Sequence, residues 1–393
     1  MKKITMLLLV ILLVFGCSEK KPRMYSTSMS FIQAVDEHGK NIITSPFGTT
    51  IALSSNYEEK LASVKDLFKD EIKRMHQLFD KNYYYYLDGI LINNIKVIND
   101  SYGQEIAIKV DNDLIQIINE GIEFTKLSKG KFNIAIGSLT DLWDGYIKEN
   151  ANKPKSETTD PSKEEIKEAL KCVPSFNEIE NIVLVNNEEN TITLKTLDGC
   201  QGSVSLNLGA LGKSYAVNKI IENEEFKNGS FLINAGTSTI MALGQKANKE
   251  NWRILIPSSS LYKNNPSEAL LAISSANNFS VTTSSGDING YYNKDGVLRH
   301  HIIDASDGYP KNYYYSISVV GPNPFYADVI TTAMMNMNKQ EMGEFLSVLE
   351  SQNIDFGFIL QSEEDNKLKV TINSELQGYI DQQFNFEVSL YES

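Results

Sequence analysis

The sequence predicts an α+β fold. Short, hairpin-prone runs of strand-forming residues dominate the second half of the chain, and amphipathic helical segments interrupt them at irregular intervals. The regular alternation of strand and helix that marks a parallel α/β sheet does not occur. With 393 residues, of which 41% are hydrophobic and 22% charged, the chain has an ordinary globular composition and enough length for a large core.

The N-terminus predicts an exported protein. Lys2 and Lys3 precede an apolar run from Met6 to Phe15, which is too short to span a bilayer but typical of a signal peptide. The following Gly16-Cys17 completes a sequence that resembles a bacterial lipobox, in which the Cys is lipidated and starts the mature protein. Because Phe15 is bulky for this position, an uncleaved anchor or plain secretion remains an alternative. The expected division is a lipoprotein signal peptide over 1–16, a polar lipid-anchored tether over 17–40 and the folded body over 41–393.

The charge of the chain argues against nucleic acid as a partner. Cleavage after residue 16 leaves 35 of the 37 basic side chains against 50 acidic ones, a formal charge of −15. Binding to nucleic acid requires a positive surface, which this composition does not supply. A phosphate-bearing ligand would therefore need a metal ion or a local cluster of hydrogen-bond donors.

The cysteine pattern leaves the redox state open. With Cys17 assigned to the lipid, Cys172 and Cys200 remain. In an oxidising compartment the two would pair if the fold brings them together, and otherwise they are free buried thiols. Neither their spacing nor any nearby His suggests zinc.

The first half of the body predicts mainly helices. The run from Ile42 to Leu53 reads as a strand with a tight turn at Phe47-Gly48-Thr49. Apolar residues at spacings of three and four predict an amphipathic helix over 58–79, and a second helix fits 113–127 before Gly130. The segment 132–143 leads from a strand-like start to a buried Trp143. A polar loop over 150–163 reads as an insertion before a helix over 164–172.

Strands dominate the remainder. One helix is expected early in this region, over 213–226. A second follows Pro324, and a third is expected over 339–351. The predicted strands are TITLKTL (191–197), SVSLNLG (203–209), SFLINAG (230–236), STIMALG (238–244), WRILIP (252–257), YSISVVG (315–321), DFGFILQ (355–361) and LKVTI (368–372).

The helix after Pro324 carries a pair of oxygen-bearing side chains. Asp328 and Thr332 stand at positions i and i+4, so both lie on one face a turn apart. Two hard oxygen donors on one face suit Mg²⁺ or Ca²⁺ better than a soft metal. An ordinary capped helix would show the same pair.

Two glycine-bearing segments permit a close approach of the backbone to a ligand. Gly209-Ala210-Leu211-Gly212-Lys213 forms a turn before a helix, whose N–H groups favour an anion and whose carbonyls are available to a cation. It is not a P-loop, because position 207 is Asn. A closely packed strand-to-helix turn is the alternative. Asn234-Ala235-Gly236 ends an apolar strand and is weak by itself.

Two further segments carry polar groups. Thr282 to Asp287, TTSSGD, offers hydroxyls and a flexible Gly, although such runs are usually turns. His301 is one of four histidines in the chain and has the chemistry of a base near neutral pH. A hydrogen-bonded structural histidine is the alternative.

Taken in order, six segments resemble one known family. They are FNIAIGSLTDLW, LNLGALGKSYAVN, LINAG followed by ALG, TTSSGD, HIIDASDGYP and VVGPNPFYADVITTA. This series looks like the FAD:protein FMN transferase family, also called the ApbE family, from about Gly48 to about Gln361. The resemblance implies a duplicated T-fold, with antiparallel sheets and packed helices.

The resemblance also implies an activity. Members bind FAD and Mg²⁺, cleave the pyrophosphate with release of AMP, and transfer FMN to a Thr of a partner redox protein, which is covalent flavinylation. The body over 41–393 would then be the catalytic domain, held on the extracytoplasmic face of the bacterial membrane by lipidated Cys17. An FAD pyrophosphatase that gives FMN and AMP, or a non-catalytic flavin-binding lipoprotein, remains an alternative.

The resemblance assigns site residues one by one. It places Mg²⁺ on the Asp328 carboxylate, the Thr332 hydroxyl and the Ala210 carbonyl. It places His301 and Asp304 near the reacting phosphate as catalytic residues. The positions that match the lining of the flavin nucleotide are Lys213, Asn234, Ala235, Gly236, Ser285, Gly286 and Asp287.

This chain departs from the family's pattern at several positions. The usual Asn-Ala-Gly-Gly-Asp reads Asn-Ala-Gly-Thr-Ser, so Thr237 and Ser238 replace a Gly and an acidic residue. Phe47 stands where Met often precedes Gly-Thr. The first change bears on flavin affinity and on the choice of transfer over hydrolysis.

Overall fold

A computed structural model describes residues 22–236, 238–262 and 268–392. Its helices and mostly antiparallel sheets confirm the predicted α+β class. Cys17 and Thr237, both singled out in the sequence, lie outside the described residues. None of the helices within the described ranges combines the length and the apolar character needed to cross a bilayer.

In the described part of the chain the α-helices are α1 (Glu58–Phe79), α2 (Ile95–Asp100), α3 (Asn112–Leu127), α4 (Gly137–Asn150), α5 (Lys163–Leu170), α6 (Ile179–Ile182), α7 (Gly212–Glu222), α8 (Glu224–Lys227), α9 (Pro324–Met335) and α10 (Lys339–Ser351). Short 3-10 helices occur at Pro46–Gly48, Lys155–Glu157 and Glu375–Tyr379.

The strands of the same ranges are β1 (Tyr25–Met29), β2 (Ile32–Val35), β3 (Asn41–Thr44), β4 (Ile51–Ser55), β5 (Tyr86–Leu87), β6 (Ile90–Leu91), β7 (Ile108–Lys109), β8 (Val183–Asn186), β9 (Thr191–Leu194), β10 (Phe231–Ala235), β11 (Thr239–Leu243), β12 (Arg253–Pro257), β13 (Ala269–Ser274), β14 (Phe279–Ser285), β15 (Gly290–Tyr292), β16 (Leu298–His300), β17 (Ile303–Asp304), β18 (Tyr309–Pro310), β19 (Ser316–Gly321), β20 (Gly357–Glu364), β21 (Lys367–Ile372), β22 (Ile380–Gln383) and β23 (Val388–Leu390).

A nine-stranded sheet organises the fold. Its strand order is β1-β4-β10-β11-β14-β19-β20-β21-β23, and every pair is antiparallel except β21 with β23. Helices α1, α7 and α9 pack on one face, and the small sheet β12-β13-β22 covers part of the other. Alternation along β10 shows the layering: Phe231 and Ile233 join the core under the helices, whereas Leu232 packs on the opposite side.

The strongest sequence signals give correct boundaries. Helix α1 spans 58–79 and α10 spans 339–351, as predicted. The apolar stripe of α1 is buried against the sheet. Helix α10 starts in a reciprocal capping box between Asn338 and Glu341, which satisfies backbone N–H groups at its first turn.

The predicted strand over 203–209 is wrong. Its backbone pairs only at one bridge, between Ser205 and Ile136. The Asn99 side chain instead bonds both backbone groups of Leu206, accepting from its N–H at 2.8 Å and donating to its carbonyl at 3.0 Å. A side-chain amide thus replaces a neighbouring strand, which a local pattern of apolar residues does not reveal.

The tether predicted over 17–40 is too long. Residues 25–29 form β1, an edge strand that pairs with β4 in the main sheet, and residues 32–35 form one strand of the β2-β3 hairpin. Ile32 and Ala34 are buried against Tyr85. These strands are short and rich in polar residues, so the sequence alone does not distinguish them from a tether. The folded body begins at Tyr25, where β1 starts.

The two cysteines left open by the sequence are paired. Cys172 follows α5 and Cys200 lies in the loop after β9, with a disulfide between them and 4.7 Å between their Cα atoms. The bridge links positions 28 residues apart.

Removal of this disulfide is expected to lower the free energy of unfolding by about 3–4 kcal/mol, because a closed loop of this length restricts the unfolded chain. Urea unfolding of the Cys172→Ser/Cys200→Ser double variant measures the loss. Wild type treated with a reductant serves as the matched sample. An unchanged urea midpoint in both would contradict the disulfide.

Candidate functional site

Helix α9 buries a carboxylate, and one of its two oxygens has no hydrogen-bond partner among the described residues. Asn323 caps the helix by accepting from the N–H groups of Phe325 and Tyr326. One turn further on, Asp328 is 5% exposed, and its Oδ2 has no hydrogen-bond partner among the described residues. Thr332 lies half-buried on the same face. An ionised oxygen that is buried and unpartnered is energetically costly, so this position suits a group that compensates the charge.

Two residues of α7 act on the Asp328 carboxylate. Burial raises the pKa of Asp328 from 3.8 to about 6, while the charge of Lys213 and a hydrogen bond from the Ser214 hydroxyl act in the opposite direction. Both neighbours lie in the first turn of α7, which packs against α9. The tertiary structure therefore joins two segments that are more than one hundred residues apart in the sequence.

The turn before α7 is fixed from both sides. Gly212 donates its N–H to the Leu208 carbonyl at 2.8 Å. The Asn207 side chain accepts from the N–H of Gly209 at 2.9 Å and donates to Thr140 Oγ1 at 2.9 Å. Among the described residues, no hydrogen bond reaches the carbonyl of Ala210. Asn207 and Thr140 were missed from the sequence, because their roles depend on α4 lying beside this turn.

Two backbone segments lie close together at the end of β10. Asn234 and Ala235 belong to this strand, and Gly236 follows with a φ of +70°. A Cβ at Gly236 would lie 2.3 Å from Thr49 Oγ1. The position therefore requires Gly for both its backbone conformation and its contact with the Phe47–Thr49 turn.

Replacement of Gly236 by Ala is expected to lower the free energy of unfolding by about 2–4 kcal/mol, the combined effect of left-handed backbone strain and overpacking. Gly39→Ala is the matched control, since Gly39 has a φ of +77° and no atom within 4 Å of the added Cβ. We expect the control to lose only about 1 kcal/mol in urea unfolding. Equal losses at the two positions would show that the contact with Thr49 is unimportant.

The Ser285-Gly286-Asp287 segment is held by a local network. Asp287 accepts from the Ser285 hydroxyl at 2.6 Å and from the Ser260 hydroxyl at 2.6 Å. The Ser285 hydroxyl oxygen also lies 3.0 Å from the Tyr315 carbonyl oxygen. These side chains fix the loop after β14. A Cβ at Gly286 would lie 3.0 Å from His300 Cδ2 and 3.2 Å from Leu298 Cδ2, so the loop packs closely on these two side chains.

The His-His pair divides into two roles. His300 is buried, accepts from the Ile302 N–H at Nδ1 and donates from Nε2 to the Lys311 carbonyl at 2.8 Å. Burial lowers its pKa to about 4, so it is neutral and structural near pH 7. His301 is half-buried, and its Nδ1 lies 3.4 Å from the carbonyl of Asn289.

Three charged groups act on His301. Burial lowers its pKa, with a further decrease from Lys213, while Asp144 and Asp287 oppose the shift. Lys213 therefore lies within electrostatic range of both Asp328 and His301. Asp144, on α4, was not identified from the sequence, because nothing in the local pattern around Trp143 indicates that this helix faces His301.

Asp304 lies away from solvent. It has no exposed surface, and Oδ2 accepts from Lys131 Nζ at 2.9 Å while Oδ1 accepts from the Ser306 N–H at 2.9 Å. Lys131 also contacts Glu341 at 2.9 Å. The surroundings of Asp304 give no support to a catalytic role and favour a supporting one, in which it fixes the loop after His301.

Two surface pockets lie elsewhere. One, of about 280 Å³, lies between α1 and α7 beside Arg74 and Lys219, and the other, of about 290 Å³, lies beside Leu87 and Lys109. None of the predicted site residues lines either pocket. The described residues contain no cluster of three His, Cys, Asp or Glu side chains suited to a metal, so a cation here would depend on hydroxyl and carbonyl oxygens beside Asp328.

The fold and the site define an α+β protein with a mostly antiparallel sheet, in which the charge of a lysine at the start of one helix acts on a buried carboxylate of another. The ApbE family profile matches residues 47–356, which is most of the chain. The protein belongs to the ApbE family, and the family predicted from the ordered motifs is confirmed.

Two curated relatives share the name FAD:protein FMN transferase. The FAD:protein FMN transferase of Haemophilus influenzae is 25% identical over 258 residues, which are 65% of this chain and 68% of that protein. The FAD:protein FMN transferase of Treponema pallidum is 28% identical over 238 residues, 58% of this chain and 60% of the relative. The match thus spans between 60% and 68% of the length of these two relatives.

Solved structures share the fold. The flavin transferase ApbE from Vibrio cholerae has a TM-score of 0.63 at 16% identity, with 91% of this chain and 99% of that chain covered. The ApbE protein from Thermotoga maritima has a TM-score of 0.62 at 21% identity, with 84% and 94% covered. These values establish similarity of fold across the described body.

Proposed function

We propose that this protein is an FAD:protein FMN transferase, which uses Mg²⁺ to move FMN from FAD to a Thr of a partner redox protein with release of AMP. The family and the names of its relatives support the reaction class. The observation that carries the proposal for this chain is the buried Asp328, whose Oδ2 lacks a partner among the described residues while Lys213 lies close by.

The residues around Asp328 fit a hard divalent cation. The Asp328 carboxylate, the Thr332 hydroxyl and the Ala210 carbonyl supply oxygen ligands, which Mg²⁺ prefers. The unpartnered Oδ2 and the unengaged carbonyl of Ala210, within the described chain, agree with such a role. When bound, Mg²⁺ would neutralise negative charge on pyrophosphate oxygens.

The start of α7 supplies the remaining positive charge for an anionic substrate. N–H groups in the first turn and the helix dipole favour phosphate. Lys213 adds a full charge in the same turn and acts on both Asp328 and His301. Together these groups would hold the pyrophosphate of FAD in an otherwise acidic protein.

In the proposed reaction, His301 accepts a proton during transfer. Its lowered pKa keeps the imidazole neutral near pH 7, and the contact of Nδ1 with the Asn289 carbonyl assigns the proton to Nδ1. Nε2 then has a free lone pair. In the proposed step the acceptor Thr Oγ forms a bond to the phosphorus of the FMN half, the bond from that phosphorus to the bridging oxygen breaks, and Nε2 takes the hydroxyl proton as AMP leaves.

The test is incubation with FAD, Mg²⁺ and a peptide carrying the family's acceptor motif, Asp-Gly-x-Thr-Ser-Gly-Ala-Thr. Mass spectrometry should show one added FMN on the peptide, with an equal amount of AMP. Release of AMP at full rate without peptide would favour the pyrophosphatase alternative. Intact FAD after prolonged incubation would favour a flavin-binding lipoprotein and overturn the proposal.

We also propose that Cys17 anchors the protein on the extracytoplasmic side of the membrane. Because β1 begins at Tyr25, residues 18–24 are the whole connection between Cys17 and the sheet. Even fully extended, this connection reaches only about 25 Å. Acceptor proteins would therefore need a flavinylation site near the membrane. Cys17→Ser should move the protein from the membrane fraction to the soluble fraction; an unchanged distribution would contradict the anchor.

A further inference from the structure

A strained turn lies between β3 and β4. Phe47 has a φ of +50° and a ψ of 30°, and Gly48 follows with a φ of +75°. The left-handed conformation is unfavourable for a bulky residue such as Phe, so neighbouring groups must hold it. The adjacent β4 pairs with β10, which ends at Ala235.

The turn fills space against both glycine-bearing segments of the site. The Phe47 ring packs beside Gly212, since a Cβ added at Gly212 would lie 3.2 Å from Phe47 Cε1. Thr49 occupies the space beside Gly236. A shift of this turn would therefore disturb the start of α7 and the end of β10 together, since both are in van der Waals contact with it.

One buried histidine holds the turn. His76 Nδ1 accepts the backbone N–H of Phe47 at 3.1 Å, and its ring makes an edge contact with the Phe47 ring at 5.3 Å. His76 belongs to α1, so this contact ties the turn to a long helix packed on the main sheet.

A tyrosine and an aspartate determine which nitrogen of His76 accepts. Tyr85 Oη donates its only proton to Asp80 Oδ2 at 2.5 Å and lies 3.0 Å from His76 Nε2. Nε2 must then carry a proton to donate to Tyr85 Oη, which leaves Nδ1 as the acceptor for Phe47. Asp80, Tyr85 and His76 are all buried, and burial lowers the pKa of His76 despite the opposing charge of Asp80.

We propose that His76, oriented by Tyr85 and Asp80, is a positioning residue that holds the Phe47–Thr49 turn and thereby preorganises the FAD-binding segments at Gly212 and Gly236. The identity of the ligand rests on the proposed function, whereas the placement of the turn does not.

Two substitutions at His76 test the roles of its two ring nitrogens separately. In His76→Asn, Oδ1 replaces Nδ1 and keeps an acceptor for Phe47. In His76→Gln, the longer side chain reaches towards Tyr85 but lacks an acceptor at the position of Nδ1. Both variants are uncharged, and they differ by one methylene group. His38→Gln, at an exposed histidine, is the control.

The first readout is hydrogen exchange at the Phe47 amide, which does not depend on flavin. We expect exchange about tenfold faster in His76→Gln and within about threefold of wild type in His76→Asn, because only the former loses the acceptor. Similar exchange in the two variants would overturn the assignment of His76. Tyr85→Phe, which deletes only the hydroxyl, should give an intermediate increase, and it serves if His76→Gln fails to fold.

The second readout is steady-state transfer. His76→Gln should raise KM for FAD about tenfold with kcat within about threefold, whereas His76→Asn and His38→Gln should stay near wild type. An unchanged KM in a folded His76→Gln protein would overturn the link from the turn to FAD binding. If wild type itself neither binds nor processes FAD, the proposed function fails, and the exchange pattern still decides whether His76 holds the turn.

Discussion

Asp328→Asn is expected to reduce FMN transfer by about 100-fold or more, because it removes the charged ligand at the centre of the proposed cation site. The same substitution should raise the free energy of unfolding in the absence of divalent cations. Asp328 is buried and one of its oxygens lacks a partner in the described structure, so its ionisation opposes folding. Activity and stability therefore change in opposite directions.

The stabilisation has a defined pH dependence. Asp328 has a pKa raised from 3.8 to about 6 in the folded protein. Stability from such a group is fully present below pH 3.8 and is lost as the pH rises through about 6. The gain from Asp328→Asn should thus be absent near pH 4 and reach at most about 3 kcal/mol above pH 7, in urea unfolding with EDTA.

Asp66→Asn is the matched control, because Asp66 is exposed on α1. It should leave both transfer and stability within error of wild type. Full transfer activity in Asp328→Asn would remove Asp328 from the reaction. A lower stability than wild type at pH 8 would show that the carboxylate has a structural partner.

Lys131→Met should destabilise the protein by about 3–5 kcal/mol, because it leaves the wholly buried Asp304 without its nearest cation. Lys311, at 3.7 Å from Asp304, compensates only partly. Lys129→Met is the matched control: Lys129 pairs with Glu344 at the surface, and its loss should cost less than about 1 kcal/mol. Urea unfolding of the two variants gives the comparison, and equal effects would contradict a buried ion pair.

The double variant Lys131→Met/Asp304→Asn decides the role of Asp304. If Asp304 is a supporting residue, removal of its charge should recover part of the stability, and transfer per folded molecule should stay within about fivefold of wild type. A loss of transfer by about 100-fold in a folded Asp304→Asn protein would instead assign it to catalysis, as the family resemblance implied.

Local signals in the sequence predicted much of the fold. The 3.6-residue period of α1 acts within a few turns, so the boundaries of this helix were correct without tertiary information. The i, i+4 relation of Asp328 and Thr332 was equally local. The order of six motifs identified the family, because a series of short patterns is far more specific than any one of them.

Other features depend on contacts between distant segments. Asn99 replaced a neighbouring strand at Leu206, and a polar stretch at residue 25 became an edge strand because β4 was available to pair with it. Asp304 pairs with Lys131, a contact between distant segments that the local motif around Asp304 did not reveal. His76 had the ordinary appearance of a residue on an amphipathic helix.

By itself the sequence determined the helices with the clearest periodicity, the α+β class, the family and the residue types that suit a cation and a phosphate, because these follow from periodicity and from motifs a few residues long. Only the tertiary structure decided that Lys213 lies near Asp328 and His301, that Cys172 pairs with Cys200 and that His76 holds the turn at Phe47. Burial and electrostatics depend on which segments meet in space, and that information is not carried by any local pattern.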